Sequence, residues 1–304
     1  MAPAGPRSAG AGPGHIRSSP VSALTSIALL LMVASAFAHA GWNYLAKQIR
    51  ASPAFLWTFD AVSAVVYALP ALAVVVIQRP HLGVVALAFM AGSAVLHLAY
   101  FVLLLRGYRA GDLSMVYPIA RGTGPLLATG AGVVLLGERP TAVALAGILL
   151  IVVGGVVSGT ERVPGSTAAV LYALLTGVFI GAYTVWDKQA VSGVQVPPVL
   201  FLWGGGVGRL LALSPWALRR REQVAEVWRC RRREALIVGV LSPLAYLMVL
   251  VALTLAPVYL VAGRELGPLI GTVMGLRLLG ERGAWRRLPA AGAMVVGIAL
   301  LALD

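Results

Sequence analysis

The 304-residue chain has a single cysteine, Cys230, which excludes an internal disulfide framework and any cysteine cage for a metal. Lysine is nearly absent: Lys47 and Lys188 are the two, and neither follows a glycine. A phosphate-binding loop of the G-x-x-x-x-G-K-[ST] type is therefore missing, and with it ATP-driven work by this chain alone. Neither H-E-x-x-H nor G-x-S-x-G occurs, so zinc-protease and serine-hydrolase chemistry lack their templates. The four histidines, His15, His39, His81 and His97, are scattered, and nothing calls for a metal or another cofactor. Charge is scarce as well, at 12% of residues, where a soluble domain carries about 25%. With so little solvated surface, the net charge of +13 does not make a nucleic-acid face.

What the chain does have is apolar residues, 59% of the total, and a mean hydropathy of +0.88. That balance excludes both a soluble domain and a disordered one. Residues 1–20 are rich in Pro, Gly, Ala and Ser and read as a flexible tail. A bilayer core of about 30 Å takes around 20 apolar residues of helix. On that ruler, spans fall near 21–43, 54–77, 82–105, 113–135, 141–158, 168–188, 198–217, 235–255, 258–279 and 285–303. The first is too long for a signal-peptide core and reads as an uncleaved span. Pro53, Pro80, Pro140, Pro164, Pro197, Pro198 and Pro257 fall at span ends, where a missing backbone donor costs least. The expected architecture is an all-α, multi-pass protein of a cell (inner or plasma) membrane, with ten transmembrane helices. Residues 218–234, with seven Arg and three Glu, read as a segment in water or on anionic lipid headgroups.

The chain also repeats itself. Leu135-Leu136-Gly137-Glu138-Arg139 returns as Leu278-Leu279-Gly280-Glu281-Arg282, 143 residues on. At the same offset Arg121 meets Arg264, and Gly124-Pro125-Leu126 meets Gly267-Pro268-Leu269. Phe55-Leu56-Trp57 returns as Phe201-Leu202-Trp203, and Lys47-Gln48 as Lys188-Gln189. The order of motifs is preserved, and both lysines occupy one matched position. The division is a 1–20 tail, a first five-helix repeat over 21–160 and a second over 161–304. Five is odd, so the second repeat enters the membrane from the opposite face, the inverted arrangement of many secondary transporters.

Two five-span repeats, each closing its fourth span with Gly-Glu-Arg ahead of a Gly-rich fifth, resemble the EamA-type members of the drug/metabolite transporter superfamily. The stretch Gly111-Asp112-Leu113-Ser114 to Tyr117-Pro118-Ile119-Ala120-Arg121 is similar to one branch of it. The resemblance covers residues 21–303 and implies a ten-helix carrier or exporter of small metabolites, not an enzyme. The second repeat departs from the pattern at Gly283 and has no proline matching Pro118, so the site need not be symmetric.

A charged residue at mid-span costs roughly 2.5–3.5 kcal/mol on insertion scales, so it needs a partner or a wet cavity. Asp60, Arg121, Arg209, Arg264 and Glu265 are such residues. Arg121 and Arg264 occupy equivalent positions, and folding an inverted repeat brings them toward one axis. Guanidinium suits an anionic substrate because its planar fork donates in pairs and stays protonated. The substrate-binding set expected from sequence is Arg121, Arg264, His39, Trp42, Asn43, Tyr100, Tyr117 and Trp186. Asp60 and Glu265 are either counter-ions that pin helices or proton carriers, because low dielectric favours the neutral form of a carboxyl group. Lys47 and Lys188 read as end anchors with room for a gating contact. Gly155 and Gly159, Gly177 and Gly181, and Gly271 and Gly275 allow close helix approach, by default within the bundle and otherwise in a homodimer.

The expected activity is secondary active transport of a small polar, anionic metabolite by alternating access. The alternative is a lipid flippase or lipid-modifying enzyme that binds phosphate headgroups. Loop charge, fifteen Lys and Arg after odd-numbered spans against five on the other face, places both termini outside the cytoplasm. Members of the resembled superfamily are usually drawn with both inside.

Overall fold

The computed structural model describes residues 20–48, 52–110, 113–159, 167–266, 270, 288–301 and 303, and these form helices and turns with no strand. The tail, the second Gly-Glu-Arg motif and most of 267–287 lie outside the described residues. The helices are α1 (Pro20–Gln48), α2 (Pro53–Val66), α3 (Ala68–Gln78), α4 (Val84–Ala110) and α5 (Leu113–Leu136). There follow α6 (Ala142–Gly159), α7 (Thr167–Lys188), α8 (Pro198–Arg219), α9 (Arg221–Leu255) and α10 (Leu288–Leu301). Seven stretches of the described residues are long and apolar enough to cross a membrane, α2 and α3 counting as one. Two apolar stretches, Ala142–Gly154 and Gly292–Leu301, are shorter. Leu30, Leu69, Val134, Leu149 and Leu211 stand exposed on the helix surfaces, as contact with lipid chains requires.

Local chemistry explains the breaks. Pro53 opens α2, and the Ser52 hydroxyl caps it by accepting from the Phe55 N–H at 3.3 Å. The expected second span is interrupted at Tyr67, three residues before Pro70, whose ring removes the hydrogen bond to Val66. Helix α7 runs on into a π turn over Gln189–Gly193, and a 3₁₀ segment over Val258–Glu265 follows α9. Residues 218–234 are helical: α9 starts at Arg221 and bends at Arg231, where the backbone leaves helical geometry (φ −133°, ψ 23°). Most of the side chains there are exposed, and Val227 leans on the cluster around Trp42, Phe55 and Phe59.

Pro243 inside α9 cannot donate to the Gly239 carbonyl one turn earlier. The Ser63 hydroxyl on α2 donates to that oxygen at 2.7 Å, and the Tyr67 hydroxyl donates to the neighbouring Val240 carbonyl at 2.9 Å. The carbonyl that a proline of α9 leaves without its helical donor is thus satisfied by a side chain of α2.

Packing between the repeats follows an exchange rule. Helix α1 lies on α9, as α7 lies on α4. Helix α2 touches α9, as α8 touches α4. Helix α5 packs on α7, as the 3₁₀ segment packs on α1. Helices α6 and α10, and α2 and α8, pair with each other. These pairings are those of two like halves related by a two-fold axis. At the α6–α10 crossing the backbones nearly touch. A Cβ on Gly147 would stand 2.7 Å from the Gly297 carbonyl, and one on Gly297 2.5 Å from the Gly147 carbonyl. Gly177 and Gly181 do the same work against α5, meeting Thr123 and Leu127.

Candidate functional site

Between the repeats lies a pocket with about 80 Å³ of free volume, bounded by α1, α2, α4, α5, α7, α8, α9 and the 3₁₀ segment. Its wall is aromatic: Trp42, Phe59, Tyr67, Tyr100, Phe101, Tyr183, Trp203 and Tyr246. Its charged groups are the guanidiniums of Arg121, Arg209 and Arg264, and His39 and His97 complete the polar lining together with Ser35, Ser63 and Ser242. Several of these side chains are held in place by backbone carbonyls. The Trp203 indole donates to the Ala64 carbonyl at 2.9 Å, and Ser35 donates to the Ala245 carbonyl at 2.7 Å. Trp42 donates to Nδ1 of His39 at 3.1 Å, with the two rings edge to face.

The charges form two separate ion-paired groups. In the first, Arg209 grips Asp60, with Nη2 2.8 Å from Oδ1 and Nε 3.4 Å from Oδ2. Asp60 has no exposed surface. In the second, Glu265 serves two cations through one oxygen: Oε1 lies 3.2 Å from Nη1 of Arg121 and 3.5 Å from Nε of Arg264. All three side chains are buried. Arg264 also donates to the Tyr183 hydroxyl at 3.2 Å and sits 5.9 Å over that ring's centroid, a cation–π arrangement. Arg121 and Arg264, 143 residues apart, meet at one carboxylate, as their matched positions in the repeats led us to expect. Each also lines the pocket, so pinning and cavity lining coexist.

Five of the eight residues expected to bind substrate line this pocket: Arg121, Arg264, His39, Trp42 and Tyr100. Trp186 does not. Its ring packs at a tilt on Phe89 and its indole donates to the Phe89 carbonyl at 2.8 Å, on a partly exposed side of α7. Asp187, the next residue and 100° round the helix, is the one that is buried. The side chains of Asn43 and Tyr117 lie outside the described residues. Asp60 and Glu265 sit behind the guanidiniums, each in direct ion pairs.

The sequence reading missed Asp187. It is fully buried in the last turn of α7, and one of its oxygens accepts from the Tyr246 hydroxyl. The run Trp186-Asp187-Lys188 resembles an interfacial span end, which hides a buried carboxyl. The signal available was helical phase, since Asp187 stands four residues from the inward-facing Tyr183.

The polar contacts at one end of the pocket's helices come from the repeated motifs themselves. Glu138, of the first Gly-Glu-Arg, accepts from the Val258 N–H at 2.7 Å and so caps the 3₁₀ segment. Lys188 donates to the Leu253 and Ala256 carbonyls at 2.6 and 2.9 Å, at the C-terminus of α9, where Ser192 also donates to Leu253 at 2.8 Å. The α9–3₁₀ break is held on one side by an acidic cap and on the other by a basic one. Among the described residues, no group of three or more His, Cys, Asp or Glu side chains could hold a metal ion.

The family model of EamA-like transporters matches this chain twice, over residues 26–160 and 167–303. No curated protein matches it. Among solved structures 28 chains match. One, described only as a crystal structure of a protein, aligns with a TM-score of 0.63 at 17% identity, covering 92% of this chain and 95% of its own. That likeness is one of fold.

Proposed function

The chain belongs to the EamA-like transporter family, and from that premise we propose a secondary active carrier that moves a small, anionic metabolite across the inner or plasma membrane by alternating access. The observation that carries the anionic part is the charge balance of the pocket. Three guanidiniums face it, and two carboxylates, Asp60 and Glu265, are in direct ion pairs with them. A carboxylate or phosphoryl oxygen entering the pocket would share Arg121 and Arg264 with Glu265, and planar guanidiniums suit such oxygens. The aromatic wall supplies apolar contact to the remainder of a small molecule.

Alternating access follows from the repeats: relative movement of two inverted halves would open the pocket between them to either face. We read ten spans. The two shorter apolar helices are the fifth and the tenth, and the 3₁₀ segment opens the ninth.

The test is uptake by purified protein in proteoliposomes, with labelled carboxylates, phosphate esters, neutral amino acids and organic cations offered in parallel. Saturable uptake of anions is expected. A charge-assisted hydrogen bond contributes roughly 1.5–3 kcal/mol. Arg264→Gln and Arg121→Gln should therefore each lower anion uptake by about tenfold or more, with insertion unchanged. Uptake confined to cations or neutral solutes, or anion uptake at the normal rate in both variants, would overturn the proposal.

A further inference from the structure

Asp187 takes part in neither ion-paired group. Its Oδ2 accepts from Tyr246, while Oδ1 is buried and closes no direct hydrogen bond, with the Ser93 hydroxyl the donor beside the carboxyl group. The groups that face it come from every element packed around α7. His97 and Ser93 approach from α4, Tyr246 from α9, Arg209 from α8 and Arg264 from the 3₁₀ segment. Tyr183 lies one turn earlier on its own helix. Lys188, next in sequence, turns away to the α9 carbonyls. Both arginines have carboxylates of their own in direct contact, so neither closes an ion pair on Asp187.

The histidine shows what is missing. Nδ1 of His97 lies 2.9 Å from the Ser93 carbonyl oxygen. A carbonyl can only accept, so this contact, the shorter of two that Nδ1 makes to Ser93 (the hydroxyl lies 3.3 Å away), assigns the ring hydrogen to Nδ1. The lone pair of Nε2 is then left facing Oδ2 of Asp187, 4.0 Å away. An acceptor nitrogen opposed to a carboxyl oxygen is an unfavourable contact in a buried site. One proton, on the carboxyl group or on Nε2, removes the conflict.

The same cluster leads directly to the substrate pocket. The His97 ring stacks on Tyr183 at 4.1 Å between centroids, and the Tyr183 hydroxyl accepts from Arg264. Charge counting gives the consequence. With Asp187 ionised, three guanidiniums are balanced by three carboxylates; with Asp187 protonated, the pocket carries one positive charge in excess. We propose that Asp187, with His97 and Tyr246, is a proton-binding site whose occupancy sets the charge that the pocket offers to an anion, so that one proton and one anion travel together. This rests on the anionic reading above. The coupling is reciprocal, since a proton that favours the anion is itself favoured by it. Asp60 and Glu265 serve in this scheme as fixed counter-ions. The proton comes from water on one face, resides on the Asp187–His97 pair, and leaves to water on the other.

Two measurements test this, and the first needs no substrate. The infrared absorption of protonated carboxyl groups is followed against pH in reconstituted protein. A titrating component present in the wild type and in Asp60→Asn is expected to be lost from the titration of Asp187→Asn; wild-type and Asp187→Asn titrations that superimpose overturn the proposal. If Asp187→Asn does not fold, Tyr246→Phe decides instead. Removing the donor to Oδ2 should move the midpoint of the band, and an unmoved midpoint overturns the proposal. The second measurement is accumulation, in proteoliposomes, of whichever carboxylate of the panel the wild type carries. An inside-alkaline gradient of one pH unit should drive about tenfold accumulation in the wild type and none in Asp187→Asn, whose carboxylate exchange should no longer vary with pH. Equal accumulation in both overturns the coupling. If the wild type carries no carboxylate, the anionic reading fails on its own, and the infrared arm still decides the proton site.

Discussion

Asp60→Asn separates a counter-ion from a proton carrier. Oδ1 of Asp60 lies 2.8 Å from Nη2 of Arg209, and the second contact is 3.4 Å. At an effective dielectric constant of about 20, two unit charges 2.8 Å apart attract by roughly 6 kcal/mol. Desolvation offsets much of that, and removing one partner of a buried pair usually costs about 3–5 kcal/mol. The Arg209 side chain keeps 16% of its surface exposed toward the pocket, so water can partly solvate the orphaned cation, and the low end, about 3 kcal/mol, applies. With an unfolding entropy of roughly 2.1 cal/mol/K per residue, the 304-residue chain should melt about 5 °C lower. The assay is thermal unfolding of detergent-purified protein, paired with proton-driven uptake. Asp60→Asn should lose stability and keep its response to a pH gradient. The double variant Asp60→Asn/Arg209→Gln should recover most of the lost stability, because the unpaired cation is removed too. A variant that melts at the normal temperature yet no longer responds to the gradient would refute the reasoning and make Asp60 the proton carrier.

Three further outcomes follow from the packing. Ser63→Ala frees the Gly239 carbonyl that Pro243 leaves without a helical donor, and should cost about 1 kcal/mol. In a Pro243→Ala background, where the helix supplies its own donor, thermal unfolding should show almost no cost, and an unchanged cost would contradict the pairing. Gly147→Ala places a Cβ 2.7 Å from a backbone carbonyl, which cannot swing aside, so melting should fall by the equivalent of about 1–3 kcal/mol. Glu138→Ala and Lys188→Met both loosen the break between Leu253 and Val258. A double-mutant cycle should show coupling above about 0.5 kcal/mol, and strict additivity would separate the two caps.

Much of this was legible in the sequence because duplicated chains leave literal copies. The pentapeptide ending in Glu138-Arg139 and its partner at 281–282 set the repeat length, and that length alone predicts that Arg121 and Arg264 meet. Charge scarcity did the rest. In a lipid-facing chain each buried ion must find a partner, and Asp60 and Glu265 were the acidic residues at mid-span. Three features were hidden for physical reasons. Asp187 sits one residue before Lys188, so hydropathy places both at a span end, while the inward phase of α7 buries only the acid. Trp186 looked like a wall residue, but the 100° step between successive helical residues turns it outward to Phe89. The helical form of 218–234 escaped because arginine-rich composition speaks of solvent and not of backbone, and Arg has high helix propensity in its own right.

Alternating access requires one pocket between the two repeats to open in turn to each side of the membrane. A single native thiol makes a direct test simple, since Cys230 is exposed and is not among the residues that line the pocket. In a Cys230→Ser background, Ser242→Cys places a thiol in the pocket wall. A small, membrane-impermeant thiosulfonate is then applied to proteoliposomes from outside or sealed within them, with the protein in known orientation. Labelling from both faces, slowed in each case by a transported anion, is the predicted result. Labelling from one face alone under every substrate and pH condition would contradict the account.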